Sequence, residues 1–132
     1  MTSQNAPFRT EIRPFGAAAI TEAARLILAG LPVAVPTETV YGLAADATSG
    51  EAVARIYEAK GRPSFNPLIV HVDGLAQAHE IADFGAAARA LAERFWPGPL
   101  TLVLPLATHS SIAPLATAGL HTIAPPASPP AA

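Results

Sequence analysis

Ile56-Tyr57-Glu58-Ala59-Lys60-Gly61-Arg62-Pro63-Ser64-Phe65-Asn66-Pro67-Leu68-Ile69-Val70-His71-Val72 is the stretch on which the fold turns. It joins the end of a helix to a Gly/Pro loop and then to an apolar strand, the order of an α/β unit. Lys60 is the sole lysine in 132 residues. It stands two positions before Arg62, in a loop stiffened by Pro63 and Pro67. An ammonium acts as a point charge while a guanidinium forks onto two oxygens, so the pair suits a nucleotide phosphate or a carboxylate. A solvated helix end, where cations complement the helix dipole, accounts for the same residues. The local pattern leaves both readings open.

Downstream of the loop, Leu68 to Val72 is a continuous apolar run, the pattern of a strand covered on both faces. His71 near its end is either a core histidine satisfied by one or two local partners or a group that meets a ligand. Asp73-Gly74 makes a turn, Ala76 to Ala82 reads as a short helix, and Asp83 is placed to cap the next one through Phe95. Trp96-Pro97-Gly98-Pro99 stops that helix before a strand at Leu100 to Leu104.

Upstream, Thr48 with Glu51 three residues later forms a capping-box pattern at the start of the helix that delivers Lys60. Before it, Pro36-Thr37-Glu38-Thr39-Val40-Tyr41-Gly42-Leu43 follows the apolar run Val33-Ala34-Val35. Ligand-binding groups of open α/β sheets sit at such strand ends, although Thr and Tyr also serve as plain turn and packing residues. Ile20, Ala23, Ala24, Ile27, Leu28 and Leu31 recur at helical spacing, and Gly30 and Pro32 end that amphipathic helix.

The length fits one domain that buries about two-thirds of its unfolded surface. A net charge of −2 excludes a generally basic, nucleic-acid-coating surface, so any anion site must be local. With no cysteine there is no disulfide framework, thiolate metal site or cysteine nucleophile, and the cytoplasm is the default compartment. Met1 to Pro14 lacks the apolar core of a signal peptide, and no stretch approaches the ~20 apolar residues of a membrane span. From Ala124 onward the chain holds only alanine, proline and one serine, a composition that predicts an extended, disordered tail.

Pro36 to Leu43, Lys60-Gly61-Arg62-Pro63, Asn66-Pro67-Leu68-Ile69-Val70-His71 and Trp96-Pro97-Gly98-Pro99-Leu100-Thr101 together resemble the Sua5/YrdC family in order and spacing. The resemblance runs over roughly Ala17 to Thr122. It implies an α/β fold, an open twisted sheet with flanking helices around a concave cationic cleft. It also implies a synthase that joins L-threonine, bicarbonate and ATP into threonylcarbamoyl-AMP and pyrophosphate, the donor for modifying adenosine 37 of tRNA. Carried over residue by residue, Thr37, Thr39 and His71 fall on the L-threonine site, and Lys60, Arg62, Asn66 and Thr122 on the ATP site. Lys60 and Arg62 take the catalytic role. Mg²⁺ is expected on the phosphates rather than in a protein cage, and the proteins that use the adenylate are the expected partners, with RNA contact as a second expectation.

The chain departs from the family where an arginine is expected and Pro126 stands, and the later Ser-x-Asn element is absent. The expected layout is therefore an N-terminal extension over 1–15, an incomplete domain over 16–124 and a tail over 125–132. An RNA-binding module of the same type without synthase activity is the alternative. A carbamoyl-transfer domain of hydrogenase maturation would come with acylphosphatase-like and zinc-finger segments, which this cysteine-free chain lacks.

Overall fold

Gly30 ends the first helix because it tolerates the left-handed backbone that the stop requires. In the computed structural model, which describes residues 9–61, 63 and 66–127, helix α1 spans Ala17–Leu28. Gly30 has φ +81°. The amides of Gly30 and Leu31 donate to the carbonyls of Ile27 (2.9 Å) and Leu26 (3.0 Å), the two bonds of a Schellman terminus. On the polar face, Arg25 donates to both carboxylate oxygens of Glu22 at 2.9 and 2.7 Å, which holds the Glu22 carboxyl below its ordinary range. Both ends meet water, so the pair adds little stability. The apolar stripe is less covered than its periodicity predicts: no α1 residue is buried, and Leu28 is 81% exposed. The element packed beside it is strand β1.

Strands β1 (Val33–Val35) and β2 (Gly42–Ala44) pair antiparallel, with Val33 opposite Ala44 and Val35 opposite Gly42. Helix α2 then runs Gly50–Lys60. Its cap is Ser49, whose Oγ accepts from the Ala52 amide at 3.2 Å. The expected Thr48 and Glu51 capping box does not form, because Asp46 Oδ1 accepts from both the Thr48 amide (2.9 Å) and its hydroxyl (2.6 Å). Ser49→Ala is expected to cost about 1 kcal/mol in urea unfolding, whereas Glu51→Ala should leave the cap intact. Ala52, Val53, Ile56 and Tyr57 form the buried face, and Gly61 at φ +58° terminates the helix.

Helices α3 (Leu75–Ile81) and α4 (Ala86–Phe95) follow. Asp83 is not the cap of α4. Gly85 holds that position without a side-chain bond, while the Asp83 amide donates to Pro105 O at 2.9 Å. The elbow stops α4 as expected, with Trp96 Nε1 donating to Leu100 O at 2.8 Å.

A second ladder joins strands β3 (Leu104–Pro105) and β4 (Thr122–Ile123), Leu104 opposite Ile123. The same register continues to an antiparallel pair of Thr101 with Pro126, and Val72 pairs in parallel with Ala127 on the other side. The described residues thus hold two separate short ladders, of which β3–β4 is the one extended by single backbone pairs. Two expectations are corrected here. Leu68 to Val72 makes one such pair and alternates in burial, with Val70 and Val72 buried and Ile69 58% exposed, because only one side meets the core. The segment from Ala124 is ordered core rather than loose tail as far as Ala127: Pro125, Pro126 and Ala127 are buried. Prolines have no amide to give, so the bonds run one way, from Leu102, Val72 and Gly98 into the carbonyls of Pro125 (3.4 Å), Pro126 (3.2 Å) and Ala127 (3.0 Å). The rest of the proposed tail and most of the N-terminal extension lie outside the described residues.

Two apolar clusters result. One gathers Val70, Val72, Ile81, Ala92, Leu102, Leu104, Ile123 and Ala127. The other packs Val53 and Tyr57 of α2 against Ala113 and Ala116. Among the described residues, no helix is long and apolar enough to cross a membrane.

Candidate active site

Between the β1–β2 unit and the rest of the chain lies a cleft of about 1240 Å³. The turn after β1 supplies Thr37 and Glu38, the end of α2 supplies Lys60, and the extended run from Pro67 supplies His71. Each arrives for a local reason. Thr37 Oγ1 accepts from the amides of Thr39 and Val40, both at 3.2 Å, and donates to Val40 O at 2.5 Å. Its one proton and its acceptor capacity are spent on shaping the turn. Thr39 Oγ1 lies 3.3 Å from Thr37 Oγ1, exposed on the same turn.

Lys60 is exposed in the last turn of α2, the helix whose buried face includes Ile56 and Tyr57. Tyr57 is 6% exposed, and its hydroxyl donates to Asn66 O at 2.5 Å, with Leu115 O 3.4 Å away. The helix that carries Lys60 therefore also holds the far end of its loop. His71 is exposed toward the cleft, between the buried Val70 and Val72, so strand alternation turns it away from the core.

Thr37, Lys60 and His71 thus share one cavity, whereas Thr39, Asn66 and Thr122 lie outside its lining. Thr122 stands exposed on β4, opposite Pro105. Arg62 lies outside the described residues. Among the described residues, Lys60 is the one lysine or arginine in the lining, which also carries the carboxylates of Glu38, Asp46 and Glu80. Asp46 and Glu80 escaped the sequence reading because they come from a capping turn and from α3, with no motif to mark them. Among the described residues, no group of three or more His, Asp or Glu could hold a metal ion.

An α/β domain with a largely apolar cleft into which a few ionisable and hydroxyl groups converge has the form of a ligand-binding protein, and comparison with known sequences narrows it. Residues 25–128 match the profile of the Sua5, YciO and YrdC family, described as telomere recombination, and the chain belongs to that family. It is 51% identical over 108 residues to a threonylcarbamoyl-AMP synthase of Bacillus subtilis and 53% identical over 104 residues to one of Pyrococcus abyssi. These matches cover 80% and 77% of this chain, which spans 30% of the length of each relative. The crystal structure of P. abyssi Sua5 complexed with L-threonine superposes with a TM-score of 0.79 at 46% identity, over 90% of this chain and 34% of that one. A Methanobacterium thermoautotrophicum protein solved in solution gives a TM-score of 0.69 at 28% identity, over 95% of this chain and 59% of that one.

Proposed function

We propose that this chain forms the substrate-binding part of a threonylcarbamoyl-AMP synthase, a transferase that acts in tRNA threonylcarbamoyladenosine formation. The observation that carries the reading is the cleft that brings Lys60, the Thr37 turn and His71 together, in a chain half identical to synthases of that name.

The threonine amine and bicarbonate give a carbamate with loss of water. A carbamate oxygen then attacks the α-phosphorus of ATP, forming one P–O bond as the bond to pyrophosphate breaks. Every partner is anionic, so fixed positive charge aimed at the phosphates stabilises the transition state. Lys60 and Arg62 take that role, and His71 receives threonine across the cleft from the turn that Thr37 shapes; the family resemblance adds Thr39 for threonine and Asn66 and Thr122 for the nucleotide, three residues that stand outside the cleft lining. The cations assigned to the phosphates are Lys60 and Arg62, and the carboxylates of Glu38, Asp46 and Glu80 share the cleft lining with Lys60. Mg²⁺ comes with ATP on its phosphates. The adenylate passes to proteins that modify tRNA, and the cysteine-free composition suits the cytoplasm.

Pyrophosphate release in the presence of ATP and bicarbonate tests the reading. It should require L-threonine and fall about fivefold with serine, which lacks a methyl worth roughly 1 kcal/mol, and further with glycine. Release that ignores the amino acid overturns the proposal and leaves a nucleotide-binding or RNA-binding domain.

A further inference from the structure

The cleft has two walls that belong to different parts of the chain. One is built by the end of α1, β1 and the Thr37 turn, and the other by α2 and the extended run at His71. Behind the lining stands Arg55, on α2 five residues before Lys60. It is half-buried, and its Nη1 donates to the carbonyl of Gly30, the left-handed residue that ends α1. A carbonyl just past a helix C-terminus carries partial negative charge, so a guanidinium is the donor suited to it. The fit is close: a Cβ placed on Gly30 would stand 3.1 Å from Arg55 Nη1.

We infer that Arg55 is a positioning residue that clamps the α1–β1 wall to the helix carrying Lys60 and so sets the opening of the cleft. Three features of the fold assign it this part. First, α1 buries none of its residues, so apolar packing holds the first wall weakly. Second, among the described residues β1 pairs with β2 alone, and that ladder is not continued into the β3–β4 ladder. Third, the bond spans 25 positions in sequence and lands on the residue two before the Pro32 that leads into β1. A point contact to charge therefore supplies what the missing packing does not. Thr37 and Thr39 follow directly from that wall, so their distance from Lys60 depends on it.

The consequence for ligands rests on the synthase reading, but the clamp itself does not. The chain has no cysteine, so paired spin labels can be placed at Ala24→Cys on α1 and Glu58→Cys on α2, both exposed positions. Electron–electron distance measurement on the full chain should give one narrow distribution with Arg55 present. Arg55→Ala should broaden it, since a charged hydrogen bond shifts an equilibrium by roughly tenfold or more. Arg55→Lys, which keeps the charge and loses the fork, should fall between and serves where the alanine variant folds poorly. In parallel, Arg55→Ala should weaken L-threonine binding about tenfold while ATP affinity, set within the α2 loop, changes less than threefold. Unchanged distributions in both variants overturn the clamp. Broadened distributions in a chain that binds no threonine uphold the clamp and remove the synthase reading instead.

Discussion

ATP binding to a Lys60→Ala/Arg62→Ala variant is expected to be about a hundredfold weaker than to the unchanged chain, with the thermal transition unmoved. Lys60 is exposed at the end of α2 and belongs to neither apolar cluster, so its loss leaves both intact. A hydrogen bond to a charged group contributes about 1.5 to 3 kcal/mol, which makes each single variant roughly tenfold weaker. The two residues stand two positions apart in the sequence, so the single and double variants together measure their coupling. A double variant no weaker than either single one places both cations on the same phosphate. Calorimetry that finds ATP affinity unchanged in all three returns Lys60 to the part of a solvated helix end.

The elements legible in the sequence are those whose cause is local. Gly30 with Pro32, the elbow after Phe95 and the Gly/Pro loop after Lys60 each announce themselves within a few residues, and the structure ends α1, α4 and α2 accordingly. Where two local signals compete, the boundary slips: Asp46 captures Thr48, and the cap moves one residue to Ser49. What the sequence hides is non-local. Arg55 carries no motif, and its partner Gly30 lies 25 residues away. Of the candidate site, the loop at Lys60, the turn at Thr37 and the histidine were legible as chemistry, and their shared cavity is a matter of how the chain returns on itself. Composition misleads most where it is most extreme. An Ala/Pro run looks unable to form a core, yet Pro125 and Pro126, which have no amide to satisfy, and Ala127 fit between segments that take acceptors from it.

That last point yields the largest effect on stability. Ala127→Glu is expected to lower unfolding free energy by about 3 to 5 kcal/mol, as for a buried charge left without a partner. Ala127 is fully buried in the cluster with Val70 and Leu102, paired beside Val72, and its carbonyl accepts from Gly98 at 3.0 Å. A carboxylate there finds no rescue, because the adjoining 240 Å³ pocket is lined by Asp73 and Glu93. Such a loss is a large fraction of the 5 to 15 kcal/mol that holds a small domain together, so the variant should unfold at markedly lower urea or fail to fold. Val103→Glu is the control. Val103 is 72% exposed on the neighbouring segment, and the same charge there should change stability by no more than about 0.5 kcal/mol. Equal midpoints for the two variants would mean that the chain beyond Ile123 does not pack between Val72 and Leu102. Separation by several kcal/mol makes Pro125 to Ala127 the strand that ties the Trp96 elbow to the segment bearing His71. In that case the tail-like composition conceals a structural support of the cleft's second wall.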